Sequence, residues 1–313
     1  MQLKMKVTFA EPRKFIRDLN LVSATLCPTP TARRFLNDLE KVHPYAAAAV
    51  APAVAVRGTD LAELAHRFDG TWACARKRLG GATGWERLPP YHPLRCRVGL
   101  FGTLDLGLHE TAHTRTLAWL MNPAGNHGFS DILLRAFLKR IFGLDTEPQL
   151  ADVNIMNEVP VGESRDRLDI LMKGTWTLAG RRKDQWMVAV EAKIEATEGE
   201  DQCARYEVHL REAIKSANRH RFVFLTQDGR APISESKGKS SQWTNLSFRQ
   251  LMALFGRRLH ELTTKPGFEF LRLYMTGVLK DLCQLNCGEV IRERDDIYSI
   301  SEYLSLEITG GNL

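Results

Sequence analysis

Two apolar segments of this sequence carry charged residues where a buried β-strand should carry none. Asp169 interrupts the first segment, residues 167–172. Glu191 and Lys193 lie near the end of the second segment, residues 186–194. Successive side chains of a strand point to opposite faces, so Glu191 and Lys193 share one face. Since an ionised group on a buried strand is costly unless it is paired or binds a metal, the two segments predict a functional site.

The residue types in this pattern suit metal-assisted hydrolysis of a phosphodiester. Two neighbouring carboxylates raise each other's pKa unless a cation lies between them, and Mg²⁺ prefers such hard oxygen ligands. A lysine on the same face can position the attacking water and offset the negative charge that builds on a phosphate in the transition state. We therefore predict that Asp169 and Glu191 bind Mg²⁺, with Mn²⁺ able to substitute, and that Lys193 is catalytic.

Asp169 followed by Glu191-Ala192-Lys193 resembles the signature of the PD-(D/E)XK nuclease superfamily. The proline of that signature is absent, and Leu168 precedes the aspartate. Many members of the superfamily lack this proline, so the departure does not count against the resemblance. The resemblance implies nuclease activity that depends on a divalent metal ion.

Two further sequence blocks are similar to members of the same superfamily. Gln202-x-x-x-Tyr206 follows the second segment and resembles an element on the helix after the active strand. Upstream, Glu110-x-x-His113 is followed by a loop that contains His127, and together they resemble the N-terminal helix and loop of a bacterial group. The resemblance covers about residues 100 to 230. It implies that Gln202 and Tyr206 face the catalytic site and shape its pocket.

The resemblance also implies the fold class and the domain organisation. We expect an α/β fold with a restriction-endonuclease-like α-β-β-β-α-β core, in which helices flank a central mixed sheet. Helical additions are expected at both ends of the chain. Residues 1–98 are interpreted as a mostly helical extension or a small recognition domain. Residues 99–313 are interpreted as the nuclease domain with its C-terminal helices.

Two further acids are candidate metal ligands, and each has an alternative interpretation. Glu110 lies at the start of a predicted helix, where the resemblance implies an additional acid for the metal site. It could equally be a solvated glutamate that favours the helix dipole. Glu158 lies in the predicted first core strand, where the resemblance implies a supporting acid. It could equally be a charge on an edge strand facing water.

Four basic or imidazole side chains are weaker candidates for contact with nucleic acid. Arg165 and Arg167 flank the turn before Asp169, where they could bind a phosphate in bidentate fashion or neutralise the local carboxylates. His113 shares a helix face with Glu110. His127 lies in a glycine-flanked loop, where it could contact a phosphate or serve only the structure of the loop.

The chain as a whole has the composition of a soluble protein. Its 313 residues suffice for one or two domains, and its formal net charge of +6 suits a polyanionic partner. The spacings of the six cysteines do not fit an iron–sulfur cluster, which predicts free thiols. No apolar run is long enough to span a bilayer, and the charged start lacks the apolar stretch of a signal peptide. We therefore predict a cytoplasmic protein without a membrane partner.

These features together predict a Mg²⁺-dependent nuclease whose substrate is DNA. The resembling group implies a role in bacterial defence against foreign DNA. The alternative is a catalytically inactive module of the same fold that binds nucleic acid or a partner protein. The sequence leaves open an RNA substrate, the choice between endonuclease and exonuclease action, a homodimer and a partner protein of unknown identity.

Overall fold

The computed structural model of the chain describes residues 88–162, 166–178, 183–196, 198–199, 201–214, 219–233, 243–288 and 294–309. The chain divides into two compact units, Met1–Gly80 with Arg292–Ser301 and Gly81–Ile291 with Glu302–Leu313. The first 87 residues lie outside the described part, so the predicted N-terminal domain of residues 1–98 stays a prediction.

A five-stranded mixed sheet forms the centre of the second unit. Its strands are β1 (Gln149–Pro160), β2 (Arg167–Thr177), β3 (Asp184–Lys193), β4 (Arg219–Thr226) and β5 (Trp243–Ser247), and they lie in the order β1-β2-β3-β4-β5. The first three strands are antiparallel neighbours joined by short connections. The last two run parallel to β3, and each follows the longer crossover connection that a parallel neighbour requires.

Helices flank this sheet in the predicted order. They are α1 (Leu100–Thr103), α2 (Glu110–Met121), α3 (Ile132–Phe142), α4 (Gln202–Ile214), α5 (Phe248–Gly256), α6 (Leu259–Leu262), α7 (Phe268–Gly277) and α8 (Arg294–Thr309). A π-helical turn, Val278–Leu282, continues α7. The segment from α2 through β1, β2, β3 and α4 to β4 is the α-β-β-β-α-β core, so the predicted fold class is confirmed.

One face of β3 packs against α4, and this packing positions the end of the strand. Met187 and Ala189 on β3 belong to a buried apolar cluster with Cys203, Tyr206 and Leu210 of α4. Side chains alternate along a strand, so the next two residues on this face of β3 are Glu191 and Lys193. Apolar packing therefore holds the two charged side chains in place.

The described cysteines agree with the predicted free thiols. Cys96, Cys203, Cys283 and Cys287 form no disulfide, and burial raises the pKa of the Cys283 thiol to about 12. Cys27 and Cys74 lie outside the described residues.

Candidate active site

The paired region of β2 and β3 ends one residue before the predicted metal ligands. The last paired residues are Ile170 and Val190, and the next residue of each strand is Asp169 and Glu191, respectively. Beyond this point the backbone N–H of Ala192 donates to Asp169 Oδ2 at 2.8 Å, so a side-chain carboxylate replaces the strand partner. The site therefore forms where the two strands separate.

Three carboxylates lie in a row across the first three strands. The neighbours of Glu158 in β1 pair with the neighbours of Asp169 in β2, so these two acids are opposite each other. Continuing the register of β2 and β3 places Asp169 opposite Glu191. We call Glu158, Asp169 and Glu191 the carboxylate row. Like charges opposite each other destabilise a sheet, so the row requires compensating positive charge.

Glu191 is the most buried member of the carboxylate row, with only 1% of its surface exposed. Its Oε1 accepts from Lys193 Nζ at 2.7 Å and from Gln202 Nε2 at 2.8 Å. Its Oε2 is buried and has no hydrogen-bond partner within the part of the chain that the structure describes. A buried carboxylate oxygen without a partner is costly, and a cation at this position would remove the cost.

The pKa values of Glu191 and Asp169 show that the site carries an excess of negative charge. Burial raises the pKa of Glu191, and the neighbouring charge of Asp169 raises it further. Burial also raises the pKa of Asp169, and the charges of Glu110 and Glu158 add to that effect. Negative charge therefore exceeds what the local ammonium group compensates.

Lys193 stays positively charged inside the site. Burial alone would lower the pKa of Lys193, but the carboxylates of Glu191, Glu110 and Asp169 hold it above its ordinary value. Its Nζ lies 3.0 Å from Glu110 Oε1 as well as 2.7 Å from Glu191 Oε1. The ammonium group therefore bridges two acids from distant parts of the chain.

Helix α2 brings Glu110 to the site. Glu110 is the first residue of the helix, where a carboxylate is favoured by the helix dipole. Its Oε2 accepts from the backbone N–H of Ile194 at 3.2 Å, just beyond the end of β3. The alternative of a merely solvated helix-start glutamate is therefore wrong, whereas the role of Glu110 as a metal ligand stays a prediction.

Gln202 and Tyr206 form a hydrogen-bonded chain that supports Glu191. The amide Nε2 of Gln202 donates both to Glu191 Oε1 and to Tyr206 Oη, the latter at 2.9 Å. Tyr206 is fully buried, and its hydroxyl donates to the backbone oxygen of Arg167 at 2.8 Å. Gln202 thus contacts Glu191 directly and Tyr206 is linked to it through Gln202, whereas their role in shaping the catalytic pocket stays a prediction.

Two arginines converge on Glu158. Arg115 Nη2 lies 2.9 Å from Glu158 Oε1, and Arg167 Nη1 lies 3.5 Å from Glu158 Oε2. Sequence reasoning identified Arg167 but missed Arg115, because nothing in the spacing of α2 indicates that its second turn faces β1. Arg165, the other arginine predicted here, lies outside the described residues.

The structure places His113 and His127 in the interior rather than at a nucleic-acid surface. Each is 1% exposed, and both ring nitrogens of each have partners within the protein. His127 accepts from the backbone N–H of Phe129 through Nδ1 and donates to the Asn122 carbonyl through Nε2. Their expected contact with a phosphate is therefore replaced by a structural role in the described fold.

His113 makes the stability of the fold depend on pH. Its Nε2 lies 2.9 Å from the Gly107 carbonyl and must donate, so its Nδ1 accepts from the Tyr274 hydroxyl at 3.2 Å. Burial lowers the pKa of His113 to about 4. On acidification, the imidazole of His113 therefore takes up a proton at higher pH in the unfolded chain than in the folded protein. Its contribution to the free energy of unfolding is fully present above about pH 6.5 and falls by about 2–3 kcal/mol on acidification to about pH 4.

Chemical denaturation across this pH range checks the prediction for His113. The slope of unfolding free energy against pH should be shallower in His113→Gln than in the wild type, by about one proton. His260→Gln, which removes a histidine with an exposed side chain, is the control for the loss of an imidazole. An unchanged slope in His113→Gln would contradict the assignment.

The donor set of the site fits a hard divalent cation. Asp169 and Glu191 offer carboxylate oxygens, one of them without a partner, and Mg²⁺ is commonly bound by one or two carboxylates plus waters. Within the described residues, no three acidic, histidine or cysteine side chains are arranged so that together they could hold a metal ion without moving. Lys193 lies between Glu110 and Glu191, so its ammonium group engages one oxygen of each acid, Glu110 Oε1 and Glu191 Oε1.

Comparison with known proteins agrees with this geometry. A sequence model of the PD-(D/E)XK nuclease superfamily matches residues 98–273, which is more than half of the chain and includes the whole carboxylate row. No curated protein and no solved structure matches the chain. None of the helices in the described ranges is long and apolar enough to cross a membrane.

Proposed function

The chain belongs to the PD-(D/E)XK nuclease superfamily, and we propose that it is a Mg²⁺-dependent deoxyribonuclease whose active site is the carboxylate row with Lys193. Nuclease activity in general follows from the family. The observation that carries the finer proposal is the buried, unpartnered Oε2 of Glu191 beside the charged Lys193. This arrangement is unfavourable as it stands and becomes favourable when a cation is bound.

We assign Asp169 and Glu191 as the residues that hold the metal ion, with Mn²⁺ able to replace Mg²⁺. When bound, the ion supplies a positive charge that polarises the phosphate and makes water a better nucleophile. Glu158 and Glu110 are proposed as supporting acids. Each is held by basic side chains in this structure, so it would change partners before it could bind the ion.

Lys193 is proposed as the catalytic ammonium group. Its Nζ contacts carboxylates on two sides and is charged, so it can orient a water or offset the charge that develops on a phosphate oxygen. Only 7% of the residue is exposed, so little solvent screens this charge. A surface lysine would be less effective in this role.

Gln202 and Tyr206 are proposed as positioning residues. Gln202 fixes one oxygen of Glu191, and Tyr206 fixes the amide of Gln202. Because a carboxylate that holds a metal must keep its orientation, such supporting hydrogen bonds affect the rate more than substrate affinity.

Tyr206→Phe tests the positioning role. The variant loses the hydroxyl that donates to the Arg167 carbonyl and accepts from Gln202, so Glu191 becomes less well oriented. We expect kcat to fall about 10- to 100-fold while KM stays nearly unchanged, with a stability loss of about 1 kcal/mol.

Tyr303→Phe is the control, because Tyr303 is a fully buried tyrosine that hydrogen-bonds to the Met252 carbonyl and makes no contact with the carboxylate row. Its kcat should equal that of the wild type. Equal kcat values for both variants would contradict the positioning role of Tyr206.

DNA is proposed as the substrate, and the net charge of +6 supports a polyanionic ligand. The resemblance to a bacterial group supports the finer proposal of defence against foreign DNA. Cytoplasmic action is proposed as well. Purified protein should be incubated with supercoiled plasmid, linear duplex, single-stranded DNA and RNA, each with Mg²⁺, Mn²⁺ or EDTA. Metal-dependent cleavage of DNA supports the proposal. Cleavage of RNA alone would reassign the substrate, and closed circular plasmid distinguishes endonuclease from exonuclease action.

A second candidate function is a binding module without catalysis. The position of Lys193 between Glu110 and Glu191 favours it, because the ammonium group already compensates part of the charge. Thermal unfolding with and without Mg²⁺ or Mn²⁺ separates the two candidates. A catalytic site should be stabilised by the ion, whereas a module that has lost its metal site should not respond.

A further inference from the structure

The pairing of Arg115 and Arg167 with Glu158 is poorly explained by stability. Both arginine side chains are 63% exposed, and exposed ion pairs contribute about 0–1 kcal/mol each. The arginines come from different elements, α2 and β2, yet they contact the two oxygens of the same carboxylate. Two solvent-accessible guanidinium groups therefore lie directly beside the carboxylate row.

Glu158 itself has an unusual backbone conformation. Its φ is 48°, in the left-handed region that non-glycine residues rarely adopt, although it lies inside β1. The residue is opposite Asp169, and its charge helps to raise the pKa of that aspartate. The two arginines thus hold an acid that is adjacent to the proposed metal ligand Asp169. Without the arginines, Glu158 would have no counter-ion among the described residues.

We propose that Arg115 and Arg167 bind a backbone phosphate of the substrate strand, and that this phosphate takes the place of Glu158 between them. Guanidinium groups bind carboxylate and phosphate oxygens with the same fork geometry, so one anion can replace the other. Glu158 is then released toward Asp169 and becomes available to the cation. The inference rests on the proposed function and adds a residue, Arg115, and an exchange to it.

The exchange couples substrate binding to the metal site. Without nucleic acid, Glu158 keeps the arginines in place; with nucleic acid, a phosphate does so. Phosphate contacts of this kind position the strand and carry no sequence information, so the same site serves any base sequence. The ligand chemistry is a phosphodiester backbone, which DNA and RNA share.

Binding measured in EDTA tests the exchange without catalysis. Fluorescein-labelled duplex DNA, single-stranded DNA and RNA would be titrated with the full-length protein and followed by anisotropy at several salt concentrations. Arg115→Ala and Arg167→Ala should each weaken binding about 10-fold. Each should also reduce the slope of log affinity against log salt by about 0.9 for duplex DNA.

Glu158→Gln should act in the opposite direction. It removes the anion that the phosphate must displace, so nucleic acid should bind more tightly than to the wild type. If Glu158 competes through the two arginines, this gain disappears when Arg115→Ala and Arg167→Ala are also present. A gain that persists in the triple variant would reflect only the lost negative charge and would overturn the exchange.

Arg219 and Asp184 provide a matched control pair at the other end of the sheet. They form a similar ion pair at 3.6 Å, and Asp184 is 28% exposed against 29% for Glu158. Arg219→Ala and Asp184→Asn should leave binding unchanged. Affinity that falls equally in Arg219→Ala and Arg115→Ala would show a general effect of charge and overturn the assigned site.

Failure of the inference differs from failure of the proposed function. A protein that binds and cuts DNA normally in Arg115→Ala refutes the phosphate site but keeps the nuclease. A wild-type protein that neither binds nor cuts any nucleic acid refutes both. A preference between the DNA and RNA ligands identifies the source of the phosphate.

Discussion

Replacing Asp169 by asparagine is expected to abolish cleavage and, in the metal-free protein, to stabilise the fold. Asparagine keeps an acceptor for the Ala192 N–H but loses the charge that is proposed to bind the cation. A metal ion stabilises the transition state by several kcal/mol, so the rate should fall on the order of 10³-fold or more. Loss of function with a gain of stability is typical of a charge retained for catalysis.

The stability part of this prediction has a definite pH range. Burial and neighbouring acids raise the pKa of Asp169 above its ordinary value, so the ionised form destabilises the folded state. In the wild type, metal-free stability therefore declines as pH rises from about 4 to about 6, the raised pKa of Asp169, whereas Asp169→Asn lacks this decline. The variant should be about 1–2 kcal/mol more stable at pH 8.

Denaturant unfolding in EDTA at pH 5 and pH 8, together with cleavage rates in Mg²⁺, measures both parts. Asp184→Asn removes a partly buried carboxylate from the other end of the sheet and should leave activity intact. A loss of stability in Asp169→Asn, with activity retained, would contradict the assignment of Asp169.

Lys193→Ala is expected to lose cleavage on the order of 10²- to 10³-fold and to destabilise the metal-free protein. The ammonium group contacts Glu191 and Glu110, and its removal leaves the buried carboxylate of Glu191 without a counter-charge. Breaking a buried ion pair by deleting one partner costs about 3–5 kcal/mol. The cost should be largest at alkaline pH, since Glu191 has a raised pKa and can take up a proton at lower pH.

Added Mg²⁺ should stabilise Lys193→Ala more than it stabilises the wild type, because no ammonium group competes for Glu191. Thermal unfolding with a titration of Mg²⁺ measures this difference, and single-turnover kinetics measures the rate. Lys183→Ala is the control, because Lys183 is exposed and pairs only with the exposed Asp152 in the described structure. Equal rates for Lys193→Ala and the wild type would exclude a catalytic role.

Local patterns were sufficient to predict which side chains lie together at the centre of this candidate site. The alternation of residues along β3 placed Glu191 and Lys193 on one face, and the four-residue spacing of Gln202 and Tyr206 placed them on one face of α4. The order of helices and strands also followed from the sequence, because each element carries its own periodic signal.

The remaining features depend on long-range packing that no local pattern reports. His113 is buried because Phe101, Phe248 and Tyr274, from three other elements, enclose its ring. Arg115 reaches Glu158 only because α2 packs against β1. Both outcomes require knowledge of how distant segments meet, and the sequence alone could not supply it.

The rate of Mg²⁺-dependent cleavage, measured on supercoiled plasmid before and after chelation with EDTA, tests the central claim most directly. Wild type, Asp169→Asn and Lys183→Ala would be compared in the same experiment. We expect the wild type and Lys183→Ala to cut in Mg²⁺, to stop in EDTA and to resume when Mg²⁺ is restored, while Asp169→Asn stays inactive throughout. Cleavage that continues in EDTA, or that Asp169→Asn performs at the wild-type rate, would contradict a metal-dependent site at the carboxylate row.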